Sequence, residues 1–424
     1  MLDSIAAKVE HWNDADLSGA IASTGNGKAF SAGGDVADVV LKAGKPQTRQ
    51  EAIDYFRHEF GTDYILASLR KPYVAIMDGI TFGGGAGLCA GAPFRVATEQ
   101  TLFSMPETGI GYFPDVGASY FLSRLDGEIG TYLALTGNSL SGRATFEHGF
   151  ATHYVASQRV PILLERLATI EDPTLAQINA AIEELYFERE PSDPVPPLTG
   201  AIRVALDKAF GQDTVEGIVR TLRQLAEGAD APETADVVQW AKNTLATLEE
   251  RSPTSLKVAL MAIRKGRTLN LLEALQMELN IAAAYCKGAS PDFKTGVTSV
   301  IIEKKRGVRP AWKPERLGEV QTAHLETKFF TRDEGLTLML PQALQAPHDP
   351  PAHFTRFALP TEDEIGAVVR GEHPTSSGEA LTTAELLAKF EDLRRGKHGV
   401  AEKVREVVAR RCEADEAGYL RWKH

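Results

Sequence analysis

Apolar positions open at helical spacing, with Leu2, Ile5, Ala6 and Val9, and then alternate between two periods. An apolar stretch from Leu17 to Ala22 is followed by a glycine-rich loop, a long helical segment from Gln50 to Leu69, a strand from Tyr73 to Met77, and a glycine turn that opens another helix. Strands over Phe94 to Ala97 and Thr101 to Phe103 come next. Strands and helices alternating at this pace predict an α/β fold of stacked βαβ or ββα units, whose loops at the strand C-terminal ends gather ligand-binding residues. From about Val160 the helical period dominates, through Leu163, Leu164 and Leu167 and later Leu271, Leu272, Leu275 and Leu279. The second half is therefore predicted to be helical.

Around Arg309 to Trp312 the pattern changes, and Leu340 to Pro360 carries five prolines with little apolar period. These breaks divide the chain into a core over 1–158, a helical region over 159–312, a linker over 313–360 that is Pro-rich from about 340, and a helical tail over 361–424. Thr361 to Glu364 and Thr382 to Glu385 each have the Thr-x-x-Glu form of a capping box, which predicts two helix starts. A last helix is expected from about Ala401 to Tyr419. Its mixture of Lys403, Arg405, Arg410 and Arg411 with Glu402, Glu406 and Glu413 reads as a solvated face, or else as a docking surface.

Composition narrows the classes. With 424 residues, 43% hydrophobic and 24% charged, the chain is large enough for an extensive core and a second unit. It has no run of about 18 apolar residues, so no membrane span is expected. The net charge of −11 counts against a nucleic-acid surface, which needs clustered Lys and Arg. Cys89, Cys286 and Cys412 are far apart and odd in number, so neither a disulfide framework nor a zinc site is expected. The N-terminus shows neither a signal-type apolar core nor a basic leader, and no targeting peptide is expected within the chain.

Candidate chemistry gathers in two places. Phe103 to Gly117 sets Glu107 and Asp115 among prolines and glycines, where regular helix is disfavoured and acids are held on turns. Upstream, Gly33-Gly34 and Gly83-Gly84-Gly85 each follow a strand and open a helix. Neither has the spacing of a phosphate loop. Two such turns can aim backbone N–H groups at one carbonyl oxygen and form an oxyanion hole.

Together these segments resemble the crotonase (enoyl-CoA hydratase/isomerase) superfamily and, within it, the 3-hydroxyisobutyryl-CoA hydrolase group. The resemblance rests on Lys28-Ala29-Phe30-Ser31-Ala32-Gly33-Gly34-Asp35, Gly79-Ile80-Thr81-Phe82-Gly83-Gly84-Gly85, Met105-Pro106-Glu107-Thr108, Phe113-Pro114-Asp115-Val116-Gly117 and Asp292-Phe293-Lys294-Thr295-Gly296-Val297. It runs from about Leu2 to Trp312. It implies a core of repeated ββα turns and an acyl-CoA whose thioester oxygen sits between the N–H groups of Gly34 and Gly84. It also implies that Glu107 is the central carboxylate, that Asp115 assists it, and that Glu59 lines the acyl end. Each has a plainer reading: Glu59 as a solvated helix residue, Asp115 as a cap for a helix beginning near Val116, Glu107 as a turn acid. Hydratases of the superfamily carry a second glutamate in the helix opened by the triple glycine, where this chain has Gly87, so the hydrolase pattern with Asp115 is expected over a hydratase or isomerase. Under it Glu107 acts either as nucleophile or as general base. No metal or redox cofactor is expected, because the oxyanion hole does the polarising, and CoA arrives as part of the substrate.

The resemblance further implies a mitochondrial location and a possible homo-oligomer. Family members begin with a strand and loop bearing Asn-Arg-Pro and Asn-Ala-Leu, absent here, so a first strand is expected to be missing and its sheet edge bare. The length beyond Trp312 is similar to that of long fungal members, among whose relatives is a component of the mitochondrial small ribosomal subunit. Docking on that subunit is the rival expectation, with little direct nucleic-acid contact.

Overall fold

Strands of the N-terminal half come in pairs, and each pair sends one strand to each of two sheets. In the computed structural model, which describes residues 2–15, 19–190, 193–228, 234–305, 307–344, 354–376 and 378–423, the pairs are β1 (Ile21–Thr24) with β2 (Ala29–Ser31), β3 (Tyr73–Met77) with β4 (Ile80–Phe82), β5 (Phe94–Ala97) with β6 (Leu102–Ser104), and β7 (Leu140–Ser141) with β8 (His153–Tyr154). The first sheet has the order β1-β3-β5-β8 and is parallel throughout; the second has the order β2-β4-β6-β7 and is parallel except at β6-β7. This is the predicted α/β repeat, with helix α1 (Leu2–Asp14) ahead of β1 and helices α2 (Val36–Ala43), α3 (Arg49–Ala67) and α4 (Gly84–Ala90) between the strands. β1 ends the first sheet, and no described residue pairs with its outer edge. Leu17, read as part of that apolar stretch, lies outside the described residues.

β3 is buried at every position, as a central parallel strand requires. Its alternation separates two cores: Val74 and Ile76, with Phe94 and Val96 of β5, meet Leu163, Leu167, Ile178 and Ile182 from two covering helices, while Tyr73, Ala75 and Met77 face the main core. Helices Pro253–Gly266 and Leu271–Cys286 pack into that main core, so the second half is helical as predicted.

Three expectations change. The 313–360 segment is not a free linker, because Val320, Leu325, Phe329, Leu336, Leu338 and Phe354 are buried in the main core. The tail shares the same core through Ile365, Leu386, Phe390, Val404 and Val407. Its two predicted caps form at Thr361 and Thr382, but the last helix stops at Arg411 and gives way to an antiparallel pair, Cys412–Ala414 with Leu420–Trp422. The Asp415 carboxylate accepts from the N–H groups of Ala417 and Tyr419, and Gly418 takes φ 87, so a tight turn replaces the helix. That helix's charged face is solvated only in part: Glu402 and Arg405 are exposed as expected, whereas Lys403, Arg410 and Arg411 are held in ion pairs. Lys403 reaches Asp126 at 2.5 Å, and Glu362 binds Arg203 and Arg410 at 2.9 Å each and Arg411 as well.

Candidate active site

The glycine turns meet at the N-terminus of α4. A carbon placed on Gly33 would lie 3.2 Å from the Gly84 nitrogen, so the two turns touch. As the first residue of α4, Gly84 has an N–H without a helical acceptor. A carbon on Gly34 would fall 1.7 Å from the Tyr55 hydroxyl, and one on Gly84 would fall 2.5 Å from Glu59 Oε1. A side chain at either position would therefore displace Tyr55 or Glu59. Gly83, at φ 50, faces Glu107 Oε1 in the same way at 2.8 Å.

Glu107 starts a short 3-10 turn, Glu107–Ile110, immediately after β6. Neighbouring bonds hold the turn: Ser104 Oγ donates to the Gly137 carbonyl at 2.8 Å and Thr108 Oγ to the Leu135 carbonyl at 3.0 Å. The Glu107 side chain is 6% exposed, and its Oε2 has no hydrogen-bond partner among the described residues. Burial, with a contribution from Glu59, pushes its pKa up to about 8. Glu59 is also buried and raised by desolvation, against which the Tyr55 hydroxyl donates to Oε1 at 3.0 Å. Asp115 is buried and raised well above the usual range by desolvation and by the charges of Glu59, Glu107 and Glu278. It does not cap the following helix, whose N-cap is Gly117 and which has no side-chain cap bond.

The structure thus brings Gly34 and Gly84 together with the buried acids Glu59, Glu107 and Asp115. Three further groups join them. Asp63 lies one turn beyond Glu59 on α3; Glu278 accepts from Gly117 N–H at 2.6 Å, Ser119 N–H at 2.9 Å and Ser119 Oγ at 2.5 Å; and Tyr55 orients Glu59. The spacing of Tyr55, Glu59 and Asp63 by four residues marks a polar helix stripe, which was the available signal for two of them. Glu278 stands alone among apolar neighbours. Val116, between Asp115 and Gly117, is held at φ 55, an outlier for a β-branched residue and a typical mark of an over-determined functional turn. Among the described residues no group of three or more His, Cys, Asp or Glu side chains is arranged to hold a metal ion, and no helix is long and apolar enough to cross a membrane.

Residues 1–330 match the family model of enoyl-CoA hydratase/isomerase. The chain belongs to the enoyl-CoA hydratase/isomerase family. Within this family it is 37% identical over 437 residues to the small ribosomal subunit protein mS47 of Neurospora crassa, covering 100% of this chain and 82% of the relative. It is also 37% identical over 330 residues to the mitochondrial 3-hydroxyisobutyryl-CoA hydrolase of Rattus norvegicus, covering 78% and 81%. Among solved members of the family, a carnitinyl-CoA dehydratase from Mycobacterium thermoresistibile superposes with a TM-score of 0.68 at 32% identity, over 80% of this chain and 90% of that one.

Proposed function

We propose that the chain hydrolyses the thioester of 3-hydroxyisobutyryl-CoA, and of the smaller 3-hydroxypropionyl-CoA, to the free 3-hydroxy acid and CoA, in the mitochondrial breakdown of valine. The observation that carries this reading is Glu107: a buried carboxyl with an unpartnered oxygen, set against the Gly83-Gly84 turn. Hydration of a conjugated double bond by the two-glutamate route would need a second acid at position 87. A side chain there would start 2.6 Å from Val116 Cβ and 2.7 Å from Asp63 Oδ2.

In this reading the thioester oxygen lies between the N–H groups of Gly34 and Gly84, each worth about 3 kcal/mol to the developing oxyanion. By one route Glu107 attacks the carbonyl carbon, the C–S bond breaks, the CoA thiolate takes up a proton, and water cleaves the resulting mixed anhydride. By the other, Glu107 takes a proton from water as that water attacks the same carbon; the C–S bond then breaks and the departing CoA thiolate takes up the proton. Asp115 positions water or the substrate hydroxyl, and Glu59 borders the acyl end. CoA enters with the substrate, and no separate cofactor is invoked. Release of free thiol from 3-hydroxyisobutyryl-CoA, lost in Glu107→Ala by about 10²- to 10⁴-fold, tests the reading. An acyl adduct on the intact protein after a quenched single turnover identifies the nucleophilic route.

A second reading has a specific observation in its favour. The ribosomal relative matches the whole chain, whereas the hydrolase match covers 78% of it. Salt-dependent co-sedimentation with mitochondrial small ribosomal subunits tests that role, which is compatible with a retained activity.

A further inference from the structure

Helices α3 and α4 meet at three successive levels. At the first, Glu59 closes on Gly84. At the second, Asp63 closes on Gly87, where an added carbon would lie 2.7 Å from Oδ2. At the third, Ala67 closes on Gly91, with an added carbon 2.6 Å from the Ala67 Cβ. Successive partners are three or four residues apart, so the levels are about one helical turn, or about 5.4 Å, apart. The thioester oxygen belongs to the first level and the catalytic acids flank it. The second level has no role in the chemistry described above.

Asp63 is 4% exposed, and neither of its carboxyl oxygens has a hydrogen-bond partner among the described residues. Glu59 by contrast has Tyr55, and Glu278 has three donors. A buried carboxyl without a partner is costly, and native structures keep such groups where a ligand or water completes them. Beside Asp63 and Gly87 lies a cavity of about 30 Å3, bounded by Val116, Tyr120, Leu271 and Phe354 and ended by the Ala67-Gly91 contact. It holds one or two groups the size of a water or a methyl.

We propose that Asp63 is the specificity-determining residue of the acyl site: it hydrogen-bonds a hydroxyl on the acyl group one helical turn beyond the thioester, and the small cavity beside it limits that group to a short chain. The inference rests on the hydrolase reading and deepens it. Two carbons separate a thioester carbon from a 3-hydroxyl, and that span plus one hydrogen bond matches the single turn between levels. Burial, with the charges of Glu59 and Glu278, raises the Asp63 pKa well above the carboxylate range. The protonated acid both donates and accepts, which suits a hydroxyl.

The test compares 3-hydroxyisobutyryl-CoA, isobutyryl-CoA and a longer 3-hydroxyacyl-CoA. The intact site should favour the first over isobutyryl-CoA by on the order of 10²-fold or more in kcat/KM, since a site built for a hydroxyl rejects the analogue lacking it. Asp63→Ala should bring that ratio within about tenfold, mainly by losing the hydroxylated substrate, and should admit the longer chain. Asp63→Asn, nearly the same shape, should retain part of the preference and a wild-type melting temperature. An unchanged ratio in Asp63→Ala, or equal losses on both substrates, would overturn the proposal. Calorimetric binding of the same acyl-CoAs to Glu107→Gln separates the failures without relying on Asp63 variants. If no acyl-CoA binds, the hydrolase reading falls together with this one. If hydroxylated and plain acyl-CoAs bind equally, only the role of Asp63 falls.

Discussion

The Glu107 carboxyl carries its own pH signature. With its pKa near 8, the native state holds a proton that the unfolded chain has released above about pH 4.3. Its contribution to stability is therefore complete below that value and declines as the pH rises through 8, while the carboxylate needed for catalysis grows in over the same range. Thiol release should rise from pH 6 to 9 as the melting temperature falls, and Glu107→Gln should make the thermal trend shallower, with Glu59, Asp63 and Asp115 supplying the remainder; a rate that peaks below pH 6 contradicts this assignment. At the glycines, Gly84→Ala should remove activity while leaving the circular dichroism spectrum intact, because its methyl displaces Glu59 rather than the helix. Glu107 and Asp115 stood out in the sequence as acids crowded with glycines into non-helical turns, whereas Gly34, Gly84 and Glu59 were picked out by the family resemblance. Asp63 and Glu278 stood out by neither route, since each sits inside a helix and which side of a helix faces the site is decided by packing against other elements.

The turn from Asp115 to Ser119 depends on the helix Leu271–Cys286, which delivers Glu278 beneath it. Three donors converge on that carboxylate. A glutamine has only one oxygen and would turn an N–H2 toward an N–H donor. Glu278→Gln should cost about 1–3 kcal/mol, measured by chemical denaturation. It should also lower kcat more than it raises KM, because the Val116 backbone that aims Asp115 is no longer held at φ 55; a stability loss with unchanged kcat would leave Glu278 without influence on the site. Other elements followed the sequence closely. β3 and β5 fall at the predicted residues, and α3 spans Arg49–Ala67 against an expected 50–69. The end of the last helix was missed because the Asp415 turn competes locally with helix in a segment whose composition favours helix.

Across the molecule, the expected boundary between core and tail dissolves into one hydrophobic cluster and a buried set of ions. The linker was misread because its apolar residues are irregularly spaced. They match the surface they cover rather than any period of their own. Glu362→Ala would take one acidic partner from Arg203 and Arg410, each 2% exposed, leaving them Asp207 and Glu406, and should destabilise the whole chain by about 1–3 kcal/mol in a single cooperative transition. Separate melting of tail and core would contradict that unity. Ending the chain at Trp312 should yield aggregating protein, because the main core would lose Phe329, Phe354 and Ile365. The same clasp imposes an order on synthesis. Asp126 and Glu183, in the first half of the sequence, are paired with Lys403 and Lys397, which are made long after them. Chains stalled on the ribosome before Lys397 should therefore be more open to protease around Asp126 and Glu183 than chains extended past Lys403.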